Sequence, residues 1–65
     1  MSEQYYYEPR RTQGLWYAVV YHYVNDKEVI DYKSNKYEGL GGENQAIDDV
    51  TDWMEDNEIE AEAAY

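Results

Sequence analysis

The sequence predicts an α+β domain: an antiparallel β-hairpin or three-stranded sheet followed by one C-terminal amphipathic acidic helix. Three observations predict it. Residues 15–24, LWYAVVYHYV, are dominated by β-branched and aromatic residues. A polar break at Asn25-Asp26-Lys27-Glu28 separates them from a second strand-like run. From Glu43 the apolar positions change to helical spacing.

Residues 1–13 read as an irregular arm, since Pro9 interrupts any long strand. The Tyr5-Tyr6-Tyr7 run either adds a short edge strand or packs on the sheet. In residues 15–24, alternation puts Leu15, Tyr17, Val19, Tyr21 and Tyr23 on one face and Trp16, Ala18, Val20, His22 and Val24 on the other. One face should meet the helix. The other meets a second subunit or stays partly open.

The returning strand runs from Val29 to about Tyr37, with Ile30 and Tyr32 on one face and Asp31 and Lys33 on the other. Ser34-Asn35 reads as a bulge or a second turn, leaving room for a short third strand at Lys36–Glu38. A hairpin or meander thus spans 15–38, and Gly39, Gly41 and Gly42 end it. A helix is expected over 43–60. Its apolar stripe is Ala46, Ile47, Val50, Trp53 and Met54, which makes Ile47 and Trp53 structural. The tail EAEAAY either prolongs the helix or frays.

Charge is distributed very unevenly. Residues 1–42 hold six acids and all five bases, whereas residues 43–65 hold nine acids and no Lys or Arg. The second segment therefore carries nine of the ten net negative charges. Its acids are Glu43, Asp48, Asp49, Asp52, Glu55, Asp56, Glu58, Glu60 and Glu62. Like charges four residues apart, such as Asp48/Asp52 and Asp52/Asp56, cost a helix about 0.2–0.5 kcal/mol per pair. Local stability alone would have favoured some lysines there, so the pattern calls for another explanation. Between Asp48 and Glu62 a continuous helix would carry one acid per roughly 2.8 Å of axis, against about 1.7 Å for duplex DNA. A one-sign surface of this density selects basic partners. The competing reading is a solvated face that keeps the protein soluble.

Sixty-five residues make a single small domain, 1–65. A chain this short is marginally stable alone, and without Cys no disulfide reinforces it. Oligomerisation is the remaining common support, which favours a homodimer. Nine Tyr, two Trp and no Phe separate the chain from aromatic-poor disordered acidic sequences. The start MSEQYYYEPRR lacks the cationic and apolar regions of a signal peptide, and no apolar run is long enough to span a membrane. The expected location is the cytoplasm, with neither membrane nor nucleic acid as a direct partner, because carboxylates repel phosphates.

No enzyme is expected. His22 is the only histidine, so a triad or histidine metal site cannot be assembled. Gly39-Leu40-Gly41-Gly42 precedes a helix but lacks the Lys of a P-loop and the spacing of a dinucleotide fingerprint. The acids lack the interposed Gly of an EF-hand loop, so no dedicated metal site and no cofactor are expected. Tyr17, Tyr21, Tyr23, Tyr32 and Tyr37 are candidates for a cross-strand cluster that serves core and dimer packing or forms a binding face.

In its small size, its hairpin-then-helix order and the run IDDVTDWMEDNEIEAEAAY, the chain resembles small acidic DNA-mimic inhibitors encoded by bacteriophages. Members of that class occupy the basic nucleic-acid-binding groove of a host protein, such as a nucleoid-associated protein, a DNA repair or restriction enzyme, or a CRISPR effector. The resemblance implies a competitive inhibitor without chemistry, acting in the host bacterial cytoplasm. The nine acids from Glu43 to Glu62 are the expected binding residues. The alternative is a non-mimic interaction module (an adaptor, antitoxin or RNA polymerase regulator) that binds through the Tyr-rich sheet. A plain acidic protein adapted to high salt is a third class.

Overall fold

The computed structural model describes residues 4–65. Strands β1 (Tyr5–Thr12), β2 (Leu15–Val24) and β3 (Lys27–Lys33) precede helix α1 (Gly42–Asp56), and a short strand β4 (Ala61–Ala63) follows it. The fold is α+β, with one four-stranded mixed sheet in the order β3-β2-β1-β4. The β1–β2 and β2–β3 pairs are antiparallel, and β4 runs parallel to β1.

Residues expected to form an irregular arm instead supply an eight-residue strand beside β2. Of that arm, residues 1–3 lie outside the described residues. Two-residue turns close both hairpins, at Gln13-Gly14 and Asn25-Asp26, and all four residues have positive φ. That is the turn geometry whose twist matches a hairpin. Pro9 is accommodated by position. Its partner is Ala18, whose N–H donates to Ser34 Oγ and whose carbonyl accepts from Ser34 N–H. Both groups of Ala18 thus face β3, so Pro9 is not required to donate. β4 pairs only with Tyr5–Tyr7, which leaves the outer side of Pro9 at a sheet edge.

The β2 face split holds. Ala18 and Val20 are buried with Ala46, Val50 and Met54 of α1; Tyr7, Tyr32, Tyr37, Ile47, Trp53, Ile59 and Ala61 surround them. The β3 split differs from expectation. The register shifts by one residue between Val20 and Tyr21, so Val20 faces Tyr32 while Tyr21 faces Ile30. Asp31 is the extra, bulged residue. Tyr32 therefore reaches the helix side and Ile30 the opposite one. The bulge is at Asp31, not at Ser34-Asn35. The third strand shrinks to one bridge, in which Trp16 and Tyr37 exchange two 2.7 Å main-chain hydrogen bonds.

The helix starts tight against that bridge. A Cβ on Gly42 would stand 2.9 Å from the Tyr37 carbonyl oxygen and 3.1 Å from Trp16 Cδ1. It ends at Asp56, short of the expected residue 60. The Ile59 N–H donates to the Met54 carbonyl and the Glu58 N–H to the Glu55 carbonyl. Glu58 takes the left-handed conformation, φ 54°. This is a Schellman stop, with the apolar Ile59 packed on the core beside Met54. Acids at the negative end of the helix dipole also disfavour further turns.

Candidate functional site

With Val50 and Met54 against the sheet, 100° steps carry Asp48, Asp52 and Glu55 to the opposite side of α1, with Asp56 alongside. All four are exposed. Among the described residues none of them has an ion-pair partner. They form the outer acidic face.

Asp49, expected on that face, is turned inward. Its Oδ1 accepts from the Tyr32 hydroxyl at 2.5 Å, and its Oδ2 accepts from the Tyr37 hydroxyl at 3.0 Å and the Asn35 N–H at 3.2 Å. Burial works to raise the Asp49 pKa, but the hydrogen bonds from Tyr32, Asn35 and Tyr37 outweigh it and hold the carboxyl below its ordinary value. The same bond to Asp49, together with burial, pushes Tyr32 up to about 12. Tyr37 is also raised, chiefly by its bond to Asp49. The Tyr32 ring stacks on Trp53 with centroids 4.8 Å apart and 8° between planes. Asp49 thus ties the helix to β3 and its following loop. A shallow groove of about 410 Å³ lies beside it, lined by Asn35, Tyr37, Gln45, Asp48, Asp49 and Asp52.

The other four acids do not extend the stripe along one axis. Glu43 is half-buried in the first turn, where the helix dipole favours an acid. Glu58 and Glu60 lie in the exposed turn after the helix. Glu62 pairs in register with Tyr6, between Ala61 and Ala63. Since Ala61 packs on the core under the helix, strand alternation sends Glu62 to the opposite sheet face.

That opposite face is largely closed by its own side chains. Val19 is 1% exposed and Tyr21 5%, although no helix covers them. The Arg10 guanidinium reaches from β1 across β2 to Glu28 on β3, also bonds Glu8 at 3.0 Å, and lies 5.5 Å from the centre of the Tyr21 ring. These carboxylates raise the Arg10 pKa against the opposing effect of burial. Tyr6 stacks on Tyr21 at 5.7 Å, and Tyr23 meets both edge-on. Burial, helped by a hydrogen bond to Glu8, pushes Tyr21 up to about 12. Lys33 covers Tyr17 at 5.0 Å.

The expected five-tyrosine cluster is therefore two groups. Tyr17, Tyr21 and Tyr23 share the open face, and Tyr32 and Tyr37 serve Asp49. The part played by Arg10, Glu8 and Glu28 was missed because residues 1–13 read as irregular; the two-residue Gln13-Gly14 break was its available signal.

His22 Nδ1 lies 2.7 Å from Asp31 Oδ2, and its ring meets Tyr5 edge-on at 5.3 Å. Among the described residues no three His, Cys, Asp or Glu side chains are grouped to hold a metal ion, and no helix is long and apolar enough to cross a membrane. No protein-family model, curated protein or solved structure matches the chain.

Proposed function

We propose that the outer face of α1 binds the basic nucleic-acid-binding surface of a host protein and competes with DNA for it. The acids central to this contact are Asp48, Asp52, Glu55 and Asp56. Glu58 and Glu60 extend it beyond the helix end. Asp49 acts indirectly, by fixing the helix on the sheet.

The carrying observation is a segregation of charge. Four exposed acids, unpaired among the described residues, share one side of the helix, whereas Arg10 and Lys33 lie over tyrosines on the far face of the sheet and Arg11 lies over Trp16, beside the start of the helix and away from those four acids. From Asp48 to Asp56 the exposed acids number one per roughly 3.4 Å of helix axis. One strand of B-DNA presents its phosphates at about that interval. Basic side chains placed to neutralise phosphates would find a similar charge density here. Inhibition is by occupancy, stoichiometric and without a chemical step. The resemblance to phage DNA mimics supports a bacterial DNA-binding protein as the target class.

The test is capture on immobilised protein from nuclease-treated bacterial lysate, followed by stepped salt and by competing duplex DNA. A nucleic-acid-binding protein released by moderate salt and displaced by DNA is the expected result. A partner that withstands high salt and ignores DNA would overturn the proposal.

A further inference from the structure

The two sheet edges differ. On one side the edge is β4, three residues long, and then the Pro9 segment of β1. On the other it is the outer side of β3, which nothing among the described residues pairs. Exposed apolar side chains gather at the β3 end: Tyr23 (56%), Val24 (43%), Val29 (39%) and Ile30 (41%). Lys27, Glu28, Asp31 and Lys33 make β3 charge-neutral within a chain of net charge −10. It is the one long edge where another strand meets neither proline nor a net acidic surface.

We propose that a second copy of this chain pairs antiparallel with that edge, with Val29 on the two-fold axis. The register follows from geometry. The two-residue turn makes Val24–Lys27 a hydrogen-bonded pair. By alternation Glu28 and Ile30 point their N–H and carbonyl groups outward. Symmetric pairing must join those outward residues, which leaves three registers. Centring on Glu28 sets two glutamates face to face. Centring on Ile30 sets Lys27 against Lys33 at both ends. Centring on Val29 sets Glu28 against Ile30, Val29 against Val29, and Lys27 against Asp31 of the second copy, twice. Only the last sets no like charges directly opposite one another.

The bulge at Asp31 limits the contact to about five residues a side, and the two-fold closes it, so pairing does not propagate into a fibre. An interface this short falls below the usual size of stable complexes, so the dimer is weak. Because the sheet continues across the two-fold, both helices lie on the same side of it. The β2 strands would then stand about 14 Å apart, three strand spacings. The two acidic helices repel one another, so rising salt favours the dimer. Salt acts in the opposite sense on binding of the helix to a basic partner, and the two equilibria are separable.

The experiment uses the full chain, which has no cysteine. Val29→Cys places two thiols on the axis, where Cα atoms of a non-hydrogen-bonded pair stand about 4.5 Å apart, within disulfide reach. Under a mild oxidant it is expected to form a covalent dimer about tenfold faster than Thr51→Cys on the helix. Sedimentation of the unmodified chain is expected to show a monomer–dimer equilibrium that shifts to dimer between low salt and about 0.5 M salt. Val29→Lys is expected to stay folded and reduce dimer about tenfold or more. Equal cross-linking rates for the two cysteine variants, or a dimer untouched by Val29→Lys, would overturn the proposal. A chain monomeric at every concentration and salt would also overturn it, leaving the edge to a strand of a different protein.

Discussion

The Tyr32 hydroxyl donates to Asp49 Oδ1 at 2.5 Å while the Tyr32 ring lies flat on Trp53, one helical turn further along. A single side chain from β3 thus sets both the height and the rotation of α1. This rotation decides which acids face water. It directs Asp48, Asp52, Glu55 and Asp56 outward and removes Asp49 from the group.

Asp49→Asn is expected to cost about 1–3 kcal/mol, because it removes charge-assisted bonds and puts an amide NH2 in place of one accepting oxygen, either the one bonded by Tyr32 or the one bonded by Tyr37 and the Asn35 N–H. The pH dependence has a definite sign. The folded-state pKa of Asp49 is lowered, so its contribution is complete above the unfolded value near 4 and is lost as pH falls through the folded value. Urea unfolding of both proteins from pH 7 downward should show the gap between them closing below about pH 4.

The alkaline limb is set by tyrosines. Tyr21 and Tyr32 are both raised to about 12 in the folded state. Their contribution is therefore full below the ordinary value near 10 and is lost as pH rises through the folded value. Near-ultraviolet tyrosinate absorbance should show a late-titrating class in the folded protein, merging with the rest once the chain is unfolded. Asp49→Asn should bring Tyr32 down and leave Tyr21, whose shift comes from burial and Glu8, in place.

Glu58 holds a left-handed conformation at the helix stop. Glycine adopts it without the Cβ penalty of about 1–2 kcal/mol, partly offset by its larger unfolded-state entropy. Glu58→Gly is expected to stabilise the fold by about 0.5–1 kcal/mol in denaturant melts.

Gly42→Ala tests the opposite end of the helix. Its methyl would meet the Tyr37 carbonyl at 2.9 Å, a backbone atom tied into the bridge with Trp16. The expected cost is about 1–3 kcal/mol. Thermal melts compare it with Gly41→Ala, where a Cβ meets nothing within 4 Å.

Residues 15–24 and the stripe Ala46–Met54 were legible because burial imposes its own period on the sequence, two in a strand and 3.6 in a helix. β1 was not, because the allowance for Pro9 comes from the short length of β4, a tertiary fact. Ile30 and Tyr32, expected on one face, lie on opposite faces because one bulged residue reverses alternation without a compositional mark. β4 is three residues of a tail that alternation cannot distinguish from a fraying helix. Of the candidate site, the helix and its charge were legible. The inward turn of Asp49 had a weak signal: it sits about 100° from Val50, at the flank of the apolar stripe. Glu62 could be placed on the far face only once the helix stop at Glu58 was known.

The most direct test is the affinity of the captured partner for the unmodified chain against a variant carrying Asp48→Asn, Asp52→Asn, Glu55→Gln and Asp56→Asn, read in parallel with DNA competition. The account predicts that the variant folds at least as well, since like-charge pairs are relieved. It also predicts that the variant loses most of its affinity and of its salt dependence, and no longer displaces DNA. A folded variant that binds and displaces DNA as well as the unmodified chain would contradict the account.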